Sequence, residues 1–245
     1  GGVQLQLNPT TDLKSLGAVS RSSEEETYAQ ILADLQRAGD LLPADDGATR
    51  NKVQRAVVRA FRAKVYLYSK QFEKAEVEAN AVLALNKYRL VDDYSRFFQS
   101  PFLSSESIFE LSATTNDVGM NALIWFPSAG TPRGSYENRP SNEIINLLND
   151  PAIGGTRKDL LATRGNDIYV NLYQTLSPNV NPFYVIRVSD IYLIRAEARA
   201  RKQSADAAGA IEDLNKVRAR AQASLFTGSG APLSSLVQAI WDERR

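Results

Sequence analysis

AVVRAFRAKVYLYSKQFEKAEVEANAV, residues 56–82, reads as two short helices joined by a tight break. Ala56, Ala60, Ala63 and Leu67 recur at helical spacing and lay a stripe of small side chains along the first helix, expected from about Asn51 to Ser69. Small side chains let two helix backbones approach closely. Arg55, Arg59 and Arg62 fall on the opposite side. The break spans Ser69–Gln71, and Phe72 leads a second helix with Ala75, Ala79 and Val82 turned inward. Residues 51–85 therefore form a helical hairpin of about 35 residues.

A similar unit returns near the end of the chain. Ile191, Ile194 and Ala198 build one helix, Ser204 offers a cap, and the next helix carries Ala210, Leu214 and Val217. Ala75, Ala79 and Val82 map onto these last three at a constant offset of 135 positions. Hairpins of this size with small residues at the crossing resemble tetratricopeptide repeats. The two units are degenerate and far apart in sequence, which argues against a regular solenoid.

Residues 1–20 read as an irregular lead-in broken by Pro9 and Gly17. Ser23 followed by Glu26 has capping-box spacing, and three glutamates in that turn suit the positive end of a helix dipole. Tyr28, Ile31, Leu32, Leu35, Ala38 and Leu42 continue the helix until Pro43 and Gly47. Between the two hairpins, residues 86–183 are rich in Asn, Pro, Gly, Ser and aromatics. Ile108–Leu111 suits a short strand, and Ser141 can cap a short helix using Ile144, Ile145, Leu147 and Leu148. The remainder of the insert reads as loop, and a loop of that length is usually functional. Leu233, Leu236, Val237 and Ile240 begin a last helix, with Pro232 at its first turn.

Composition narrows the chemistry. The 245 residues are 43% hydrophobic and 23% charged, with a mean hydropathy of −0.30. Lys and Arg number 29 against 28 Asp and Glu, so no basic excess points to nucleic acid. No apolar run approaches the roughly 20 residues that span a bilayer. There is no Cys, which removes disulfides, thiolate metal sites and Cys nucleophiles. There is no His, which removes the commonest general base and metal ligand, and with them any Ser-His-Asp triad. Gly1 in place of a starting Met, and a helical run halted at Arg245, lead us to expect a fragment.

Several segments, in order, resemble the SusD/RagB family. Gly2-Val3-Gln4-Leu5 is similar to the family's Gly-Val-Pro-Leu opening, with Gln in place of Pro. Arg21-Ser22, Tyr28, Ile31-Leu32, Asp34-Leu35 and Ala38 match its first helix here. Ala60 through Tyr68, then Phe72 and Ala75, match its Ala-rich hairpin. Tyr88-Arg89-Leu90, Phe97 and Glu106–Glu110 follow in order. The most specific stretch is Arg187, Asp190, Tyr192–Ala198, Asn215, Val217-Arg218 and Arg220-Ala221, and Ile240, Glu243, Arg244 and Arg245 resemble the start of the family's closing motif. The resemblance covers nearly the whole chain. It implies an all-α fold, a superhelix of degenerate tetratricopeptide-like hairpins carrying a loop-rich insert, as a single domain over 1–245. It also implies a lipid-anchored protein at the cell surface that binds a glycan or other nutrient. Such a protein hands its ligand to a SusC-like TonB-dependent transporter in the outer membrane, as a hinged lid on a barrel. The anchor Cys would lie outside this chain.

Sugar recognition wants flat apolar faces beside polar groups. The insert supplies both between Asn116 and Arg139: Asn121, Trp125, Arg133, Tyr136 and Asn138 are the candidate ligand-binding residues. Tyr136, beside Gly134, is the ring expected to be exposed, whereas Trp125 and Phe126 read more simply as loop anchors packed onto the helices. Tyr169 and Tyr173, among Asn166, Asp167 and Asn171, form a second set that reads more simply as a hairpin-like loop with surface tyrosines. Arg187, Arg195, Glu197, Arg218, Arg220, Glu243 and Arg244 read as arginine–carboxylate bridges between packed helices. The adjacent pairs Asp92-Asp93 and Asp45-Asp46 do not have the facing geometry of a glycosidase. No catalytic residue, cofactor or metal site is expected. The competing readings are a tetratricopeptide-type scaffold for protein partners and, behind it, a carbohydrate-active enzyme.

Overall fold

The computed structural model describes residues 2–9, 20–44, 49–94, 104–112, 124–128, 134–172, 181–228 and 230–244. The first helix, α1, runs Glu24–Leu41. Its start is the expected capping box: Ser23 Oγ accepts from the Glu26 amide at 3.0 Å, and the Glu26 carboxylate accepts from the Ser23 amide at 2.8 Å. The apolar stripe of α1 lies on α2 (Arg55–Tyr68), but no α1 residue is buried and Ile31 is exposed. Helix α2 starts four residues later than Asn51 because the Gln54 carbonyl, in extended backbone, is the first to accept helical amides, from Val57 and Val58. A turn through Lys70, at a φ of +60°, carries the chain into α3 (Phe72–Leu83).

The second hairpin is α5 (Val188–Arg201) and α6 (Ala207–Arg220). Its cap is Asp206 rather than Ser204: the Asp206 carboxylate accepts from the Gly209 amide at 2.9 Å, while Ser204 lies two residues too far out to reach. The 135-position correspondence holds in space. Ala75, Ala79, Val82, Ala210 and Leu214 are all 0% exposed and Val217 is 3%. The insert does not keep the two units apart, because α3 packs directly on α5. The order α2, α3, α5, α6 thus builds a short tetratricopeptide-like superhelix, and α7 (Leu233–Glu243) closes it by burying Leu236 and Ile240 against α5 and α6.

Two apolar clusters result, one from α2, α3, α5 and the strands, the other from α5, α6 and α7, with Tyr192 packed against both. Between the helices runs a chain of ionic contacts. Arg195 grips Asp213 with two hydrogen bonds, 2.8 and 2.6 Å, and donates a third to Asn80 Oδ1 at 2.7 Å. Arg199 bonds Asp213 at 3.0 Å and Glu76 at 3.0 Å, and Lys202 bonds Glu76 at 2.8 Å. The bidentate bridge expected of Arg195 is therefore present, Arg199 adds one the sequence did not point to, and together they join α5 to α6 and to α3.

The insert holds the expected strand, β1 (Ser107–Leu111). It also holds one the periodicity does not show, β4 (Phe183–Arg187), which pairs antiparallel with β1. The ladder matches Leu111 with Phe183 and Ser107 with Arg187 through an irregular register. Phe183–Ile186 are all strand formers, but a run of five residues without alternation names no partner, and β1 lies more than seventy positions away. A small hairpin, β2 (Leu161–Arg164) with β3 (Asp167–Val170), turns on Gly165 at a φ of +60°, the left-handed backbone such a two-residue turn requires. Its Tyr169 is buried, not on the surface as the sequence suggested, and Tyr173 lies outside the described residues. Helix α4 (Asn142–Asn149) begins at Ser141 as expected, whose Oγ accepts from the Ile144 amide at 3.3 Å.

Two outcomes test this frame. Replacing Asp213 by Ala leaves Arg195 and Arg199 without their shared carboxylate inside the stack, and urea unfolding should show a loss of about 3–5 kcal/mol. Glu212→Gln, on the exposed side of the same helix, should leave the midpoint within error; equal effects would remove the network from its role. The second concerns pH. Burial pushes the Glu76 carboxyl up, but hydrogen bonds from Lys202 and Arg199 outweigh it and hold the group below its ordinary 4.5. Its contribution is then complete above 4.5 and lost as the pH falls through the lowered folded value. Glu76→Gln should show a smaller drop in urea midpoint between neutral pH and about pH 3 than the parent protein.

Candidate functional site

Strand β4 delivers the chain straight into α5, and the junction sets the wall of a cavity. The Arg187 amide donates to the Asp190 carboxylate at 2.9 Å, which fixes the first turn. The Arg187 guanidinium then reaches Tyr94, donating to its hydroxyl at 3.3 Å. Burial works against the charge of Arg187, but Tyr94, Asp190 and Glu106 more than offset it, and its pKa lies above the ordinary arginine value. Tyr94 also lies beneath Arg220, whose guanidinium carbon is 4.5 Å from the ring centroid. Arg220 is bridged to Glu106, a carboxylate with no solvent exposure, which also accepts from the Val91 amide at 3.2 Å. On the far side Glu243 of α7 holds both Arg157 and Arg218.

These groups surround a cavity of about 440 Å³, a volume within the range of small-ligand sites. Leu147 and Leu148 of α4, Ile153, Leu160 and Leu172 give it apolar walls. Arg187, Asp190, Arg157, Asp242 and Arg244 supply polar groups, and Trp125 lines it as well.

The loop that presents Trp125 is built against β2 and β3. The Asn138 amide donates to the Ile124 carbonyl at 3.0 Å and the Gly134 amide to the Pro127 carbonyl at 2.9 Å, so residues 124–128 and 134–138 lie side by side. Phe126 turns inward and packs on Tyr169, ring centroids 5.3 Å apart and tilted by 44°. Trp125, its neighbour, remains partly exposed at the cavity. The two residues thus divide the roles: Phe126 anchors, as expected, and Trp125 is presented.

Tyr136 departs from expectation. Its ring is 8% exposed and lies in the same cluster as Phe126 and Tyr169. The hydroxyl donates to the Ile168 carbonyl at 2.7 Å, and the Arg139 guanidinium stacks 4.4 Å from the ring centroid. Burial, and then the nearby Asp167, push the phenol pKa up, against the opposing pull of Arg139. Tyr136 adopts a φ of +53°, a left-handed conformation uncommon for a bulky side chain. A buried hydroxyl needs an acceptor, and the Ile168 carbonyl supplies it. Tyr136 therefore clamps the loop to β3 instead of offering a free ring.

Of the other candidates, Asn138 is exposed beside this clamp, while Asn121 and Arg133 lie outside the described residues. Asn171 sits at the end of β3, its amide bonded to the Leu160 carbonyl at 2.7 Å. Asp92 and Asp93 are exposed, and Asp45-Asp46 lie outside the described residues. Sequence reasoning missed the contribution of α4, Arg157 and Asp190 to a cavity wall. Their convergence depends on contacts across the insert, and no local pattern marks it. Among the described residues no cluster of three or more acidic groups could hold a metal ion, and no helix is long and apolar enough to cross a membrane.

Comparison with known proteins adds the following. The family model described as SusD family matches residues 83–245. A curated SusD-like protein P2 from Formosa agariphila is 36% identical over 93 residues, 37% of this chain and 18% of that protein. A SusD superfamily protein from Parabacteroides distasonis superposes with a TM-score of 0.78 at 21% identity, covering 100% of this chain and 60% of its own. A SusD-like carbohydrate-binding protein from Bacteroides vulgatus gives 0.76 at 23% identity, covering 96% and 51%. A laminarin-binding SusD-like protein gives 0.75 at 22% identity, covering 98% and 63%. The chain thus spans between half and two thirds of these solved structures, and less than a fifth of the curated relative.

The clamp can be tested directly. Tyr136→Phe removes the bond to Ile168 and leaves a buried carbonyl unpaired, a loss of about 1–2 kcal/mol in urea unfolding. In a Trp241→Phe background, where Trp125 is the remaining tryptophan, the same change should lower the Trp125 fluorescence anisotropy. An unchanged anisotropy would separate Tyr136 from the positioning of Trp125.

Proposed function

The chain belongs to the SusD family, and from that premise we propose that it binds a glycan at the cell surface without bond chemistry and passes it to a SusC-like TonB-dependent outer-membrane transporter. The observation that carries the reading is Trp125, held by the Phe126–Tyr136–Tyr169 cluster at the edge of a cavity with polar and apolar walls. A flat ring fits the C–H face of a sugar, and the arginine and carboxylate groups around it suit hydroxyls. Asn138, together with Asn121 and Arg133 on the same insert, would complete the ligand contacts; Tyr136 would act by holding the loop. Anchoring through a lipid outside this chain would place the site at the outer surface.

Two features support binding over catalysis. Glycoside hydrolysis needs a pair of carboxylates free to donate and accept protons across the scissile bond. Of the carboxylates at this cavity, Glu243 is engaged by Arg157 and Arg218, and Asp190 by the Arg187 amide and guanidinium; among the described residues Asp242 accepts only from Gln238 of its own helix, which leaves it without a second uncommitted carboxylate opposite. The absence of His and Cys from the sequence narrows the remaining choices. A scaffold for protein partners would use the superhelix itself, whereas the observed cavity is built largely from the insert and its contacts with α5 and α7.

Isothermal calorimetry against laminarin, xylan, starch and pectin fragments tests this. The parent protein should bind at least one with no release of reducing ends. Trp125→Ala should weaken that binding roughly tenfold, and Tyr136→Ala should weaken it by loosening the loop. Equal binding by all three proteins would remove these residues from the site, and turnover of any glycan would overturn the non-catalytic reading.

A further inference from the structure

The cavity has two unlike sides. Its polar groups come from the helical stack: Arg187, Ser189 and Asp190 at the β4–α5 junction, Arg220 of α6 and Glu243 of α7. The insert contributes an aliphatic side: Ile144, Leu147 and Leu148 of α4, followed by Ile153, Leu160 and Leu172. Leu172 packs on Leu160 in a small cluster that includes Tyr94 and Tyr184. The apolar face of α4 has no such role. None of its residues is buried, and among the described residues Ile144, Leu147 and Leu148 belong to none of the apolar clusters.

An aliphatic face ordinarily closes onto a core. Here it is held off at both ends. The chain before α4 is tied down by the Asn138 amide, which donates to the Ile124 carbonyl at 3.0 Å. The chain after it is tied to the end of α6: the Thr156 amide donates to the Ala221 carbonyl at 2.7 Å, and the Ser224 amide to the Ala152 carbonyl at 3.0 Å. Gly154 lies so close to the end of α4 that a Cβ there would meet the Leu148 carbonyl oxygen at 2.0 Å. The face of α4 is thus fixed as a wall of the cavity.

An unsubstituted glycan suits only the polar side. Its C–H faces fit the Trp125 ring, and its hydroxyls fit the arginines and carboxylates. A hydroxyl pressed on Ile144 or Leu148 gives up water without gaining a hydrogen bond. Capping that hydroxyl, or a uronate carboxyl, as an ester removes the polar hydrogen or the charge and adds a methyl group; both changes favour an aliphatic wall. We propose that the ligand is a glycan bearing small ester groups, O-acetyl or methyl ester, with the ester methyl against α4 and a sugar face on Trp125. This rests on the glycan-binding reading above and narrows its ligand class. The cavity then discriminates between the esterified and bare forms of one polymer.

Calorimetry on three sets of polymers tests this: acetylated xylan and the same xylan stripped by alkali, methyl-esterified pectin and the same pectin saponified, and laminarin, which carries no ester. The xylan pair isolates the acetyl source and the pectin pair the methyl source. The parent should bind one esterified polymer roughly four- to tenfold more tightly than its stripped form. Leu148→Gln and Ile144→Gln, which place a good helix former in α4, should each remove most of that preference, and Leu148→Met, still apolar, should keep it. Thermal melts establish that each variant is folded. Equal affinity for esterified and stripped forms, or laminarin bound more tightly than either ester, overturns the ester assignment and leaves glycan binding standing. A preference that survives both Gln substitutions overturns it as well. If the parent binds none of these polymers, both readings fall together.

Discussion

Arg195 meeting Asp213 inside the helical stack is the contact on which the remaining architecture depends. Asp213 has no solvent exposure, and its two oxygens are shared between Arg195 and Arg199. The same two arginines reach across to Asn80 and Glu76 of α3. One cluster therefore ties together three helices from two hairpins that the insert separates in sequence. Burying charge gains little net stability, because desolvation offsets much of the attraction. Its effect here is selective: a packing that slides α6 along α5, or α3 away from α5, strands a charge in an apolar interior. The small-residue stripes permit close approach in several registers. The charged cluster admits the one in which Ala75, Ala79, Ala210 and Leu214 are all covered.

That fixed register also determines where the insert can go. It leaves the first hairpin after α3 and must return to the start of α5, and α3 and α5 are already in contact. The β1–β4 ladder closes this excursion at its base, with Glu106 buried beside it and bridged to Arg220 of α6. Residues between β1 and β4 are then free to build a loop structure over one end of the stack. The aromatic cluster of Phe126, Tyr136 and Tyr169 gives that structure a small core of its own. The cavity lies where this loop layer meets α5 and α7, so a rigid scaffold positions loop-borne side chains.

The functional reading follows the same division. Membership of the SusD family rests on the match over residues 83–245, while the solved structures, all below 25% identity, speak for the fold alone. A shared scaffold does not carry ligand choice over. The arginine and carboxylate groups at the cavity are largely engaged with one another. Ordered polar groups beside a presented ring are what a binding site requires.

The sequence by itself determined the helices, their caps at Ser23 and Ser141, the two matching hairpins, and the arginine–carboxylate bridging role of the closing motifs. The helices and their caps depend on residues within a few turns of one another, where helical spacing and capping chemistry act locally; the bridging arginines were legible as a type, but their partners, such as Glu106 for Arg220, lie far along the chain. It also placed Trp125 and Tyr136 in one segment of interest, but could not say which ring faced outward. Only the tertiary structure decided that Tyr136 turns in to bond Ile168 while Trp125 lines the cavity. Only it showed that β4 pairs with β1, and that Asp206 rather than Ser204 caps α6. The reason is common to the ring and the strand. A strand of five residues and a ring beside a turn are nearly balanced locally, and contacts from distant parts of the chain settle them; the cap of α6 is settled by the position at which that helix starts.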